Sequence, residues 1–192
     1  MKTKEGLPVR QFKTPAEWEA WLAENHASAE GLWLKIAKKD AGSSSVTYSE
    51  ALDVALCWGW IDGQKAPLDE KFWLQRFTRR KPKSKWSKLN VGRAKALIEQ
   101  GRMQPAGLQE VELAQRDGRW QSAYDSHRTA TVPEDLQQAL DANPRARDFF
   151  ATLNSANRYA ILYRIHDAKK PETRARRIAQ FVAMLAEGKT LH

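Results

Sequence analysis

Residues 31–39 read Gly-Leu-Trp-Leu-Lys-Ile-Ala-Lys-Lys. Leu32, Leu34 and Ile36 alternate with Trp33 and Lys35, the period-two pattern of a strand with one apolar face. This stretch sets how the first half is read, because what flanks it follows a different period. On its N-terminal side, Val9–Phe12 suits a second short strand. Thr14-Pro-Ala-Glu17 then starts a helix, with Thr14 as cap, Pro15 at the first helical position and Glu17 completing a capping box. Trp18, Trp21 and Leu22 follow on one face. On its C-terminal side, Asp40–Ser45 predicts a loop. Thr47 to Glu50 is a second capping box, opening a helix that runs to Trp60. Leu52, Ala55 and Leu56 mark its stripe, and it is apolar nearly all round, so it should be buried. Asp62-Gly63 is a turn signal, and Lys71–Thr78 reads as a further strand.

Beyond Pro82 the period becomes helical. Val91, Ala94, Leu97 and Ile98 mark one helix that stops at Gly101, and Leu108–Ala114 marks another. Thr131 to Glu134 is a third capping box, and Asn143-Pro144 separates its helix from one carrying Phe149, Phe150 and Leu153. Asn157–Asp167 is helical, and Ile178, Phe181, Val182 and Leu185 give the last helix its core stripe. The fold class is therefore α+β: a small mixed or antiparallel sheet with two helices in the N-terminal half, then an all-helical C-terminal half. The expected division is an α+β domain over 1–84 and a helical domain over 85–192, packed as one unit.

Composition narrows the function classes. With 42% hydrophobic and 29% charged residues the chain is globular rather than disordered. Seven of the eight tryptophans precede residue 90, so the aromatic core belongs to the first half. The single Cys57 excludes an intramolecular disulfide and a cysteine-based zinc cluster, and its apolar setting suggests a buried, inert thiol. No signal-peptide core opens the sequence, and no apolar run approaches the roughly 18 residues of a membrane helix. A cytoplasmic protein with no membrane span is expected.

The net charge of +9 is unevenly distributed. Eleven Lys or Arg lie between Lys71 and Arg102, opposed only by Glu99. The densest run, Arg76-Phe-Thr-Arg-Arg-Lys-Pro-Lys-Ser-Lys-Trp-Ser-Lys88, interleaves its cations with Phe77 and Trp86. Arg76, Arg79, Arg80, Lys81, Lys83, Lys85 and Lys88 are the candidate anion contacts, and Trp86 is a candidate stacking surface for an unpaired base. The same run also reads as a solvated basic loop with Trp86 in the core, or as an interface for an acidic protein.

Arg174, on the apolar side of the last helix, needs a partner. Either a carboxylate of the first half pairs with it, or it joins Lys170 and free helix amides in holding an anion. Asp62 is the weak candidate for a general base, and it also reads as a turn-forming residue before Gly63. Glu50 and Asp53 suit the helix dipole. His26, His127, His166 and His192 share no metal-ligand spacing, so no metal site and no cofactor are implied. No glycine-rich phosphate loop, HExxH or GxSxG is present.

Several runs carry a family likeness. Gly59-Trp-Ile-Asp-Gly-Gln64, the run 76–87, Gly107-Leu-Gln-Glu-Val111, Asp117-Gly-Arg-Trp120, Ala168-Lys-Lys-Pro-Glu-Thr-Arg-Ala-Arg-Arg-Ile178 and Leu185-Ala-Glu-Gly188 resemble the YdeI/OmpD-associated, or bacteriocin-protection, family. The resemblance implies a link with envelope stress and protection against antimicrobial peptides, and supplies no catalytic residue or cofactor. Its helical segment is also similar to one attached to frataxin-like iron carriers. Iron carriage relies on acidic surface, which this basic first half lacks. Three readings follow: a stress-related binding protein for an anionic partner, nucleic acid or phosphorylated ligand; an enzyme on a small anionic substrate with Asp62 as acid or base; and a module that docks on an acidic protein.

Overall fold

The computed structural model describes residues 3–39 and 41–192; Met1, Lys2 and Asp40, the first residue of the predicted loop, lie outside them. The chain divides into two compact units. One comprises Met1–Trp86 with Asn90–Ala123, the other Ser87–Leu89 with Tyr124–His192.

The first unit is built on a five-stranded sheet. In chain order its strands are β1 (Thr3–Lys4), β2 (Leu7–Arg10), β3 (Gly31–Ala37), β4 (Trp60–Pro67) and β5 (Phe72–Arg79). Their spatial order is β1-β2-β3-β5-β4, with β2 and β3 parallel and the other pairs antiparallel. The parallel pair arises because α1 (Pro15–Asn25) crosses between β2 and β3. Leu32, Leu34 and Ile36 are buried, as their alternation requires.

α1 and α2 (Tyr48–Cys57) pack on this sheet through Trp18, Leu22 and the fully buried Ala51 and Ala55. Trp18, Trp60 and Phe77 meet at the centre, with Trp18 to Trp60 at 6.2 Å edge-on and Trp18 to Phe77 at 5.8 Å. Each buried indole N–H in this pair finds a carbonyl: Trp18 donates to Ala51 O and Trp60 to His26 O, both at 3.1 Å. α3 (Lys88–Glu99) and α4 (Pro105–Arg116) follow. α4 lies directly against the end of α2, because Gly107 has no side chain: a Cβ there would sit 2.2 Å from Cys57 O. Gly59 turns the chain from α2 into β4 with φ +72°, a conformation that L side chains rarely adopt.

Local signals met the structure unevenly. The Thr47–Glu50 capping box forms in full. At α1, Thr14 Oγ1 accepts from Glu17 N at 3.2 Å, but the Glu17 carboxylate accepts from Lys13 N instead of closing the box. The predicted Thr131–Glu134 box does not form. The helix starts only at Glu134, with an extended Pro133 at its N-cap and no side-chain cap, since a residue before proline is disfavoured from helical backbone. The helix predicted to reach Trp60 ends at Cys57, and Trp60 opens a strand. Asp62-Gly63 is no hairpin turn either. Both lie inside β4, at a register shift between Asp62 and Lys65. The buried Gln75 amide bonds the carbonyls of Gly63 (2.9 Å) and Gln64 (3.2 Å), which the irregular ladder leaves unsatisfied.

The second unit is helical: α5 (Glu134–Asp141), α6 (Pro144–Thr152), α7 (Ser155–His166) and α8 (Pro171–Ala186). Leu136, Leu140, Phe150, Ile161, Ile165, Ile178, Phe181 and Leu185 form its core. Asn143 and Asn154 cap α6 and α7 by accepting from Ala146 N and Asn157 N.

Candidate anion-binding cleft

β5 carries the dense basic run out of the core. Along it, Phe77 is fully buried against α1, and Arg76 and Thr78 therefore face the other side of the sheet. Lys81–Ser84 closes the run as a tight turn, with Lys81 N donating to Ser84 Oγ and Ser84 N to Lys81 O, both at 2.8 Å. Between strand and turn opens a cleft of about 760 Å³. Arg76, Arg79, Arg80, Lys81, Gln64 and Thr78 line it, with Glu30 as its acid. The Arg76 side chain lies alongside Gly63, 3.8 Å from where a Cβ would stand, an ordinary van der Waals separation.

The cations are held by different means. Arg76 donates to Gln64 Oε1 at 3.0 Å, and its buried Nε makes no hydrogen bond within the protein. Arg79 is exposed and anchored on Ala27 O at 2.7 Å. Arg80 is only 6% exposed. Its guanidinium stacks on the Trp86 ring at 3.5 Å, and it donates to Lys85 O at 3.3 Å. Near it, burial raises the Glu110 carboxyl above its usual range, opposed by the charges of Arg80 and Arg119. Arg80 is thus committed largely to a buried polar cluster, and contributes to the cleft mainly as fixed positive charge.

Trp86 is 2% exposed, covered by Arg80 on one side and packed edge-on against Trp120 at 4.9 Å. Phe77 is fully buried. Neither ring is available to a base, which corrects the stacking role drawn from their spacing among cations. The rest of the run disperses. Lys83 and Lys85 are exposed and line no part of the cleft. Lys88 belongs to the second unit and pairs with Asp125 at 2.8 Å. Arg93 pairs with Asp53 of α2 at 2.6 Å.

Asp62 is not among the cleft residues. It sits opposite Phe77 in the ladder and accepts from the Tyr48 hydroxyl at 2.8 Å. Trp60 and Trp73 are absent from the cleft as well, so the convergence an Asp62-based enzyme would need is not formed there. Cys57 is buried, and desolvation pushes its thiol up to about 11, which leaves little thiolate at neutral pH.

Arg174 does pair with a carboxylate, but with Asp135 of its own unit and not with one of the first half. Nε and Nη2 grip Asp135 at 2.6 and 2.8 Å, and Nη1 donates to Ile165 O at 3.0 Å. The guanidinium thereby ties α8 to α5 and to the end of α7. Sequence inspection missed Gly63, Gln64, Thr78 and Glu30 as cleft residues. The one available signal was Gln75, the polar residue that follows Phe72-Trp-Leu74 in β5, which marks the bulge beside the cleft.

Among the described residues, no group of His, Cys, Asp and Glu is arranged to hold a metal ion, and no helix is long and apolar enough to cross a membrane. Comparison with known families matches residues 10–110 to a family described as "Domain of unknown function (DUF8412)". Residues 129–188 match the family described as "Bacteriocin-protection, YdeI or OmpD-Associated". The second match bears out the resemblance drawn from the motifs, while the Gly59–Gln64 and 76–87 runs fall within the first. Searches of curated proteins and of solved structures gave no match.

Proposed function

Starting from a chain that belongs to the DUF8412 family through residues 10–110 and carries a bacteriocin-protection, YdeI or OmpD-associated segment over 129–188, we propose that the protein binds a compact phosphorylated ligand in the cleft beside β5. One observation carries this reading: Arg76, Arg79, Arg80 and Lys81 line a single cleft of about 760 Å³. That size suits a mononucleotide or a phosphorylated metabolite. Arg79 would supply a fixed guanidinium fork and Lys81 a mobile point charge. Arg76 would add positive charge from the cleft wall.

Dispersal of the remaining cations supports a compact ligand over a long nucleic-acid track, since Lys83, Lys85, Lys88 and Arg93 do not continue the cleft. We further propose a cytoplasmic, stress-related binding protein; the second family's description, which names bacteriocin protection, supports the stress-related part.

The test is calorimetric titration of the purified protein with pyrophosphate, with adenosine diphosphate and with a short single-stranded oligonucleotide, each at two salt concentrations. Saturable binding of the diphosphates, weakened by salt and lost on Arg79→Ala with Lys81→Ala, is the expected result. Tighter binding of the oligonucleotide, with log affinity falling steeply against log salt, would replace the compact ligand with nucleic acid. No binding of any probe at low salt would overturn the reading.

A further inference from the structure

A second hollow adjoins the basic cleft on the sheet face opposite α1 and α2. Directly paired residues point their side chains to the same side of a sheet, as do residues two apart along a strand. The pairs Leu74 with Lys35, Arg76 with Trp33, and Trp33 with Val9 therefore put all five residues on one face. Leu7 and Thr78 share it: a Cβ at Gly31, two residues before Trp33, would meet Leu7 Cδ1 at 3.3 Å and Thr78 Cγ2 at 2.8 Å. Leu7, Arg76 and Thr78 line the basic cleft, whereas Val9, Lys35 and Leu74 line a hollow of about 360 Å³. On β2 and on β5 the two spaces are thus walled by residues two apart, about 7 Å along the strand.

The hollow differs from the cleft in character. Val9, Leu68 and Leu74 give it apolar walls, Lys4 and Lys35 supply donors, and Asp69 supplies an acceptor. Both ammonium groups stand over aromatic rings of the strands, Lys35 Nζ at 3.7 Å from the Phe72 centroid and Lys4 Nζ at 5.2 Å from that of Trp33. The Asp69 carboxylate is fixed by accepting from Lys71 N at 2.9 Å and Phe72 N at 2.8 Å. A second phosphate here would face Asp69 and three apolar side chains. An alkyl tail would strip water from two ammonium groups and a carboxylate. A flat heterocycle, with apolar faces and an edge of donors and acceptors, matches the lining on every side.

Resting on the reading of the cleft as a phosphate site, we propose that its ligand is a nucleoside diphosphate. The phosphates lie among Arg76, Arg79 and Lys81, and the base lies in the hollow between its apolar walls, its edge toward Lys35 and Asp69. The ribose bridges the short step along β5 from Arg76 to Leu74. The sheet face thus selects a nucleotide over a phosphorylated compound that has no base.

The experiment is calorimetric titration of the full chain with pyrophosphate, adenosine diphosphate and guanosine diphosphate. The nucleotides carry no more charge than pyrophosphate, so any gain in affinity comes from the nucleoside. At least one nucleotide is expected to bind tenfold or more tightly than pyrophosphate. Val9→Phe, which fills the hollow, should remove that advantage and leave pyrophosphate binding unchanged. Should that variant unfold, Lys35→Gln should cut the ratio of nucleotide to pyrophosphate affinity severalfold. Pyrophosphate binding with no advantage for either nucleotide would overturn this proposal and leave the phosphate site standing, as would an advantage that neither variant reduces. No binding of any of the three at low salt would overturn both.

Discussion

Arg79 in the first unit and Arg174 in the second are held in opposite ways. In the first, the sheet buries tryptophan and phenylalanine and pushes Arg79 and Lys81 out to a cleft, where the Ala27 carbonyl holds the Arg79 fork and Glu30 is the acid in the lining. In the second, Arg174 is clamped by Asp135, and Lys88 by Asp125. The lesson is that charge density along a sequence is not charge presented to a ligand. The run from Arg76 to Lys88 is one basic segment on paper. Folded, it splits into a cleft, a buried Arg80–Trp86 stack, exposed lysines and a paired Lys88.

The largest test of this contrast is the tryptophan core that pushes the cations outward. Trp18→Ala should cost about 4 kcal/mol, as expected for a fully buried indole, and should weaken ligand binding in the first unit's cleft. Chemical denaturation followed by tryptophan fluorescence measures the loss, and a cost below about 1 kcal/mol would contradict the packing described.

Next in size is the difference between the two arginine sites. Arg79→Ala with Lys81→Ala should reduce diphosphate affinity at least tenfold, about 1.4 kcal/mol, with little change in melting temperature. Arg174→Met should leave that affinity unchanged, because its guanidinium belongs to the other unit. Calorimetry on both variants decides whether the contrast holds.

Helix caps give a smaller, matched pair. Thr47→Ala in the first unit and Asn154→Ala in the second each remove a side-chain acceptor at a helix start, and each should cost about 1 kcal/mol in urea denaturation. A clear excess for Thr47 would reflect its closed box with Glu50.

The smallest effect concerns the Arg174–Asp135 pair. Arg174's hydrogen bond holds the Asp135 carboxyl below the usual aspartate range. A lowered carboxyl stabilises the fold above the ordinary aspartate value and loses that contribution as pH falls through the lowered one. Asp135→Asn should therefore cost under about 1 kcal/mol at neutral pH, given the pair's partial exposure, and the gap from the unaltered protein should close in acid. Melting temperatures of both proteins across that range provide the check.

How much was readable beforehand depends on the range of the interaction. Alternation at Leu32, Leu34 and Ile36, the Thr47–Glu50 box and the stripe ending at Leu185 are local, and each appears where the pattern placed it. Asp62-Gly63 misled because a turn signal reports only backbone permissiveness. The pairing of β4 with β5, stabilised by Gln75, used that permissiveness for a bulge. Trp86 misled for the same reason: spacing among cations cannot show that Arg80 and Trp120 close over its ring.

By itself, then, the sequence determined the α+β class, the helical second half, the identity of the cations and the likeness that the family comparison bore out. Those depend on period, capping and composition, which act over a few residues. The tertiary structure alone decided that β2 and β3 run parallel, that Arg76, Arg79, Arg80 and Lys81 share one cleft while Asp62 does not, and that Arg174 answers to Asp135. Each of these joins residues far apart in the chain, through strand pairing or a charge that burial obliges to find its partner, and no local pattern encodes which distant residue that will be.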